Sequence, residues 1–394
     1  MRRPPPSCFL GKVLPLVFCA PAFAQQPPPA QPPPAQPPPQ TPPAPKPGQG
    51  LQWLMGDTTV KLGGYVKLDL IHDFDAIGSA ESFDPRTIPT DGTEGSNTRM
   101  QAQQSRLNLD VRGPASSDPY RFFIEGDFFG SGGSFRLRHA YVTLDEILGG
   151  QTWTTFMDDD AMPETLDFES PIGFPQIRQA QVRYAHESQG GNEFAVAIED
   201  PASAIVPPTG VPGHAEEVLP DIDAHYTLRF HGGHVQLGAF GGMASFRPDG
   251  GSSDSVALWG LNLSTRLEVG EQDSVILQGT YGDGVGRYRG GITAAPDANG
   301  DLEAITTTAF LGSYEHHWSE AWRSTVMYSW ASGDMPAGTP LTTSEKLEYA
   351  AANLIWQFSP RAWTGVEWLY GTNQTFDGND GDATRLQFSL RFNL

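Results

Sequence analysis

The chain has 394 residues, 44 of them glycine and 35 proline, with 38% hydrophobic residues, 11% aromatic residues and a formal net charge of −21. It is too lean in apolar residues for an ordinary soluble fold of this size and too aromatic for a disordered one. The negative balance argues against a partner bound through phosphates, and no window approaches about 18 consecutive apolar residues, which excludes a helical membrane span.

The amino terminus reads as a secretory address. Arg2, Arg3 and Lys12 flank the start of an apolar run from Val13 to Phe18, and Ala22-Phe23-Ala24 offers a small-x-small cleavage site. Residues 1–24 are therefore expected to be a signal peptide. Both cysteines, Cys8 and Cys19, fall inside it, and Phe18 is the wrong size for a lipidation site at Cys19. Cleavage would take the net charge to −24. Residues 25–58 form the next expected unit, a proline-rich periplasmic linker. Its core, 25–48, cannot donate a hydrogen-bond ladder and predicts an extended polyproline II spacer, roughly 70 Å long at about 3.1 Å per residue. It reads as a tether, with contact to the cell wall as the alternative.

From residue 59 to 394 the hydrophobic period is two. In Ile222-Asp223-Ala224-His225-Tyr226-Thr227-Leu228-Arg229-Phe230 every second residue is apolar, and the same alternation recurs at 104–112, 257–263 and 385–392. Sixteen such segments lie near 59–74, 103–113, 119–129, 134–144, 147–157, 177–187, 192–199 and 222–231, then 233–244, 255–268, 272–282, 304–317, 321–332, 346–358, 361–371 and 383–393. The connections between them alternate short and long, with 130–133 as the exception. Sorting by length places the short turns at one end. The expected fold is all-β, a transmembrane antiparallel barrel of sixteen strands with long external loops and short periplasmic turns. A soluble β-sandwich would alternate in the same way but has no reason to sort its loops. Trp318, Trp322, Trp356, Phe358, Trp363, Trp368 and Tyr370 sit near strand ends, as an interfacial girdle would, although β-propensity also favours aromatics. The last strand carries an unbroken apolar stripe through Leu386, Phe388, Leu390, Phe392 and Leu394.

Several words of the first half carry a family likeness: LGGYVKLDLIHDFD (62–75), QSRLNLDVRGP (104–114), FFIEGDFFG (122–130), FRLRHAYVTL (135–144) and GQTWTTFMD (150–158). In order and spacing they resemble the DcaP-type outer-membrane porins. Beyond about residue 190 the likeness is one of pattern only. The resemblance implies a trimeric secreted barrel in the outer membrane of a Gram-negative bacterium, admitting small anions that include dicarboxylates. It implies a channel and not an enzyme. That family often has a helical coiled-coil segment before the barrel, where this chain has its proline-rich stretch.

Strand parity sends the polar set inward, because the outer face meets lipid. The inward basic residues include Lys67, Arg106, Arg121, Arg136, Arg138, Arg183, Arg385 and Arg391, with Lys61, Arg112, Arg229, Arg266 and Arg323 beside them. Strands one to four and sixteen, neighbours in a closed ring, thus share a basic wall. Arginine suits anion passage because its charge is permanent and its fork holds a carboxylate bidentately. Asp69, Asp110, Glu125 and Asp127 share the same face, so cross-lumen pairing is the competing reading. The connection after strand five, 157–176, is expected to fold into the barrel as a constriction. Its acidic residues Asp158, Asp159, Asp160, Glu164, Asp167 and Glu169 would face the arginine wall and set up a transverse field, or else bind a divalent cation.

Other chemistry is thin. Asp297-Ala298-Asn299-Gly300-Asp301 lacks the later residues of a calcium loop, and His231/His234 and His316/His317 sit beside tight turns. No catalytic motif, metal site or cofactor signature stands out. The expected function is a porin passing small hydrophilic, preferentially anionic solutes, as a homotrimer embedded in outer-membrane lipid. A cation-preferring general porin, an outer-membrane lipase or protease, and a structural tether are the alternatives.

Overall fold

The computed structural model describes residues 51–114, 119–201 and 203–394; the expected signal peptide and most of the expected linker lie outside the described residues. In chain order the strands are β1 Leu51–Met55, β2 Thr58–Asp73, β3 Asn97–Gln101, β4 Arg106–Arg112, β5 Tyr120–Asp127, β6 Arg136–Leu144, β7 Ile147–Trp153, β8 Arg178–Glu187, β9 Glu193–Glu199 and β10 Gly213–Glu216. They continue with β11 Asp221–Phe230, β12 Gly233–Pro248, β13 Asp254–Val269, β14 Asp273–Asp283, β15 Ala294–Pro296, β16 Leu302–Ala304, β17 Thr306–His317, β18 Trp322–Asp334, β19 Ser344–Ser359, β20 Ala362–Thr375 and β21 Asp380–Asn393.

β3 and β4 both pair with β2 and form one interrupted stave. β10 extends the top of β12, and β15 and β16 make a separate hairpin in a long loop. Apart from β1, the fifteen other strands and the β3/β4 stave make sixteen antiparallel staves among the described residues, one for each predicted segment, and β2 pairs with β21 to close the ring. Closure leaves the ring of sixteen staves without an open edge among the described residues, the condition for spanning hydrocarbon.

Burial explains why alternation yields a barrel and not a sandwich. At the closing seam Val66, Leu68 and Leu70 stand opposite Phe392, Leu390 and Phe388, all exposed on the outer face. The intervening Lys67, Asp69, Gln387 and Ser389 are buried on the inside. A protein in water hides the first set and wets the second, so this inversion requires an apolar solvent outside. Tight approach between staves also selects residue type: at Gly64 (φ +128°) a Cβ would lie 2.1 Å from the Arg106 carbonyl oxygen.

The ladder begins earlier than the alternation suggests. Residues 51–55 pair with Thr58–Leu62 of β2, just past the point where β21 ends and the Leu394 amide donates to the Gly64 carbonyl (3.0 Å). β1 thereby covers the part of the β2 edge that the last strand does not reach. All five of its residues are exposed, so no period of two betrays it.

Candidate functional site

The connection between β7 and β8 turns inward from a closed neck, where the Thr154 amide donates to the Ile177 carbonyl (3.0 Å). Apolar pegs set its path: Phe156, Leu166 and Phe174 are fully buried. Phe156 packs against Phe240 and Tyr288, with ring centroids 5.3 and 4.8 Å away. Polar contacts then tie the loop to wall strands around the ring. Asp158 lies 2.9 Å from His234 Nε2 and accepts from Ser264 Oγ (2.5 Å). The Glu164 carboxylate accepts from Arg323 (2.6 and 2.7 Å). The amides of Leu166 and Asp167 both donate to Glu367 (2.9 and 2.7 Å). The Gly173 amide donates to Ser329 Oγ (2.6 Å), and a Cβ at Gly173 would sit 2.3 Å from the Phe310 carbonyl oxygen. His234 and Ser264 each meet Asp158 and not one another in these contacts, an arrangement that anchors a loop and does not activate a serine.

The loop leaves a cavity of about 540 Å³ against the wall formed by β2, β4, β6 to β8, β20 and β21. Its cationic side chains are Arg106, Arg138, Arg178, Arg289 and Arg391; its acidic ones are Glu164, Asp167 and Glu169. Every one of these acids is ion-paired: Glu164 with Arg323 (2.6 Å), Asp167 with Arg385 (3.1 Å) and Glu169 with the cavity's own Arg289 (2.9 Å). On the wall, Arg138 is held by Glu125 (3.1 Å) and Asp127 (2.8 Å), and Arg106 reaches Glu125 at 3.6 Å. Arg178 and Arg391 have no carboxylate partner among the described residues. Arg178 lies over the Trp153 ring at 4.7 Å, and Arg391 lies over Tyr65 at 3.7 Å and donates to Asn393 (2.8 Å). A ring face orients a guanidinium without cancelling its charge.

Not all of the residues expected to line the pore reach this cavity. Arg106, Arg138 and Arg391 do. Arg136 pairs with Asp127 (2.9 Å) and Arg121 with Asp110 (2.8 Å), both half-exposed. Lys67 and Arg385 are on the inner face, as parity requires, but the loop lies over them. Lys67 is ion-paired with Asp69 (2.9 Å) and donates to the Leu166 carbonyl. Arg385 is fully buried between Asp73 (2.6 Å) and Asp167. These two cations pin the loop. Arg183 lies lower, in a second cavity of about 230 Å³ that also holds Asp158, Asp159 and Asp160.

The acidic loop does not present a row of carboxylates to the arginine wall. Asp158 is buried on His234 and Ser264, and Asp160 pairs with Arg229 (2.8 Å). Glu164, Asp167 and Glu169 have the partners given above. Burial pushes the Asp167 carboxyl above its usual range against the pull of Arg385. Of the six, Asp159 alone has no side-chain or ion-pair partner among the described residues; desolvation, with Asp160 and Asp158 beside it, raises it as well. Strand parity also misses two cations of the cavity. Arg178 opens β8, where the strand emerges from the loop neck, and Arg289 belongs to a short helical turn between β14 and β15.

The model of the DcaP outer membrane protein family matches residues 53–394. The solved outer membrane channel DcaP of Acinetobacter baumannii is similar in fold, with 24% identity and a TM-score of 0.77 over 88% of this chain and 99% of that one. An anion-selective porin from Comamonas acidovorans shares 14% identity, with a TM-score of 0.61 over 86% and 100% of the two chains. The trimer form of OmpT from Vibrio cholerae shares 13%, with a TM-score of 0.57 over 86% and 99%. No curated protein matches the chain significantly.

Proposed function

The chain belongs to the DcaP outer membrane protein family, and from that premise we propose that this outer-membrane porin is a water-filled diffusion channel for small hydrophilic solutes that prefers anions, dicarboxylates among them. The charge balance of the central cavity carries this reading: its three acids are engaged with arginines, while Arg178 and Arg391 have no carboxylate. An entering carboxylate exchanges part of its hydration for a planar guanidinium fork, which can bind it bidentately. Because the fixed charges are held by aromatic rings and neutral acceptors, they do not collapse onto counter-charges when the solute leaves. A dianion can release one arginine while still held by another, so binding favours entry without trapping. Transport is passive, and selectivity follows from fixed charge and the width that the inward loop leaves.

The solved trimer form of OmpT supports placing the chain in a homotrimer, with its outer face against lipid. Measuring the reversal potential of purified protein in a planar bilayer under a potassium chloride gradient tests the anion preference. Chloride preference is expected. Potassium preference would keep the porin and refute the basic-wall account; folded protein without conductance would refute the open channel.

A further inference from the structure

The second cavity, about 230 Å³, lies between the root of the inward loop and strands β8, β9, β11 and β12. Most of its charged groups are engaged. Asp158 is held by His234 and Ser264, Asp160 pairs with Arg229 at 2.8 Å, and Glu193 lies 2.8 Å from His225 Nε2. The other nitrogen of His225 faces the Thr155 carbonyl at 2.8 Å. Two groups remain. Arg183 donates through Nε to Gln181 Oε1 (2.8 Å) and through Nη2 to the Trp153 carbonyl (2.5 Å). Both acceptors are neutral, so they fix the plane of the fork and leave it without a carboxylate in contact among the described residues. Asp159 accepts no hydrogen bond from another side chain among the described residues, and it forms no ion pair with Arg183 across the gap.

One unengaged cation and one unengaged anion therefore face the same polar space, whose walls include the hydroxyl-bearing Thr152, Thr154 and Thr227. We propose that this cavity is a subsite for small zwitterions of the α-amino-acid class, whose carboxylate is taken by Arg183 and whose ammonium is taken by Asp159. The inference rests on the channel reading above and adds a second class of permeant solute. A zwitterion satisfies both groups at once. A simple carboxylate would meet Arg183 but bring its charge beside Asp159, and a simple amine would do the reverse. The Asp159 carboxyl is shifted upward by desolvation and by Asp160 and Asp158 beside it, with Arg183 only partly opposing. The stacking of the two sites also has a consequence for order of passage. Arg178 and Arg183 stand on one stave, five residues apart, with Arg178 at the end where the strand leaves the inward loop. A solute entering from that end meets Arg178 first and the charge pair second.

The test uses the full-length channel in planar bilayers, with potassium chloride conductance followed at pH 7 and constant ionic strength. L-alanine, propionate and L-alaninamide are added separately, since they share a skeleton and differ only in which charges they carry. L-alanine should reduce the current at a concentration at least about fivefold lower than either analogue. Asp159→Asn should erase its advantage over propionate, and Arg183→Gln its advantage over L-alaninamide. Asp159 is a loop residue with no partner to lose, so that variant does not put folding at stake. Equal reduction by all three compounds in a conducting channel would overturn the subsite and leave the porin standing. An alanine advantage that survives both substitutions would overturn its assignment to this cavity. Folded protein without potassium chloride conductance would overturn the channel reading, and the subsite with it.

Discussion

Replacing Arg178 and Arg391 together by glutamine should lower the chloride-to-potassium permeability ratio on the order of tenfold at 0.1 M salt. A sphere with the volume of the central cavity, about 540 Å³, has a radius of about 5 Å, which puts a guanidinium about 6 Å from an ion at its centre. In water-like dielectric that separation gives about 0.7 kcal/mol per charge, and a Debye length of about 10 Å reduces it to about 0.4 kcal/mol. Each arginine then raises local anion concentration about twofold and lowers that of cations by as much. Two arginines acting on both ions multiply to the stated figure. In 1 M salt, where the Debye length is about 3 Å, the same arithmetic leaves only about a twofold change. Reversal potentials of wild type and the double variant at both salt concentrations provide the assay. An unchanged ratio at 0.1 M would refute the account, and so would a change of equal size at both concentrations, since that would point to altered pore shape. The choice of residues matters. Arg136 and Arg138 are the more conspicuous pair in sequence, but both hold the fully buried Asp127, so removing them would expose an unpaired acid as well as delete cations.

Three further outcomes follow from contacts described above. Gly173→Leu places a side chain where a Cβ already meets the Phe310 carbonyl oxygen at 2.3 Å; the loop must move off the wall, and single-channel conductance should change with greater current noise, whereas unchanged conductance from folded protein would sink the idea. The Asp159 carboxyl, raised by burial and by Asp160 and Asp158 with Arg183 opposing, is negative above its pKa and neutral below it. Anion preference should therefore rise as pH falls, starting above the range near 4 where ordinary carboxylates titrate, and Asp159→Asn should remove that part of the pH profile. Leu68→Arg puts a charge on the lipid face opposite Leu390, at a cost of about 2–4 kcal/mol if near the midplane, and should diminish the heat-modifiable folded band on gels and lower the urea midpoint.

The barrel was legible because each stave repeats one instruction, apolar out and polar in, with a period that sterics impose on any strand. Sixteen alternating segments sufficed to count the staves. The same parity correctly sends Lys67 and Arg385 inward, yet it carries no information on what lies over an inner residue. Their burial depends on a loop that comes from a different part of the chain, and its course is set by non-periodic contacts such as Gly173 against Ser329. Arg178 and Arg289 escaped notice for the complementary reason: one stands at a strand end where alternation is broken, the other in a loop turn where there is none. The acidic run at 158–169 shows the limit of composition. Six carboxylates in a constriction suggest a negative surface, but five of them have partners among arginines and a histidine of the wall and of another loop, and only their individual geometry reveals the sixth.

The inward loop also has a mechanical meaning. A sixteen-stave ring with a hollow centre is a thin shell, stiff along its hydrogen bonds and easily flattened across its diameter. Residues 154–177 run from β7 to attachments on β12 and β13, then on β17 through β20 and on β21 beside the closing seam, and return to β18 through Gly173 before entering β8. Fastened at these separate points, the loop acts as a tie across the shell and resists its flattening. Cutting that tie would enlarge the opening and also let its outline breathe, so the pore would lose a fixed width along with its narrowest point.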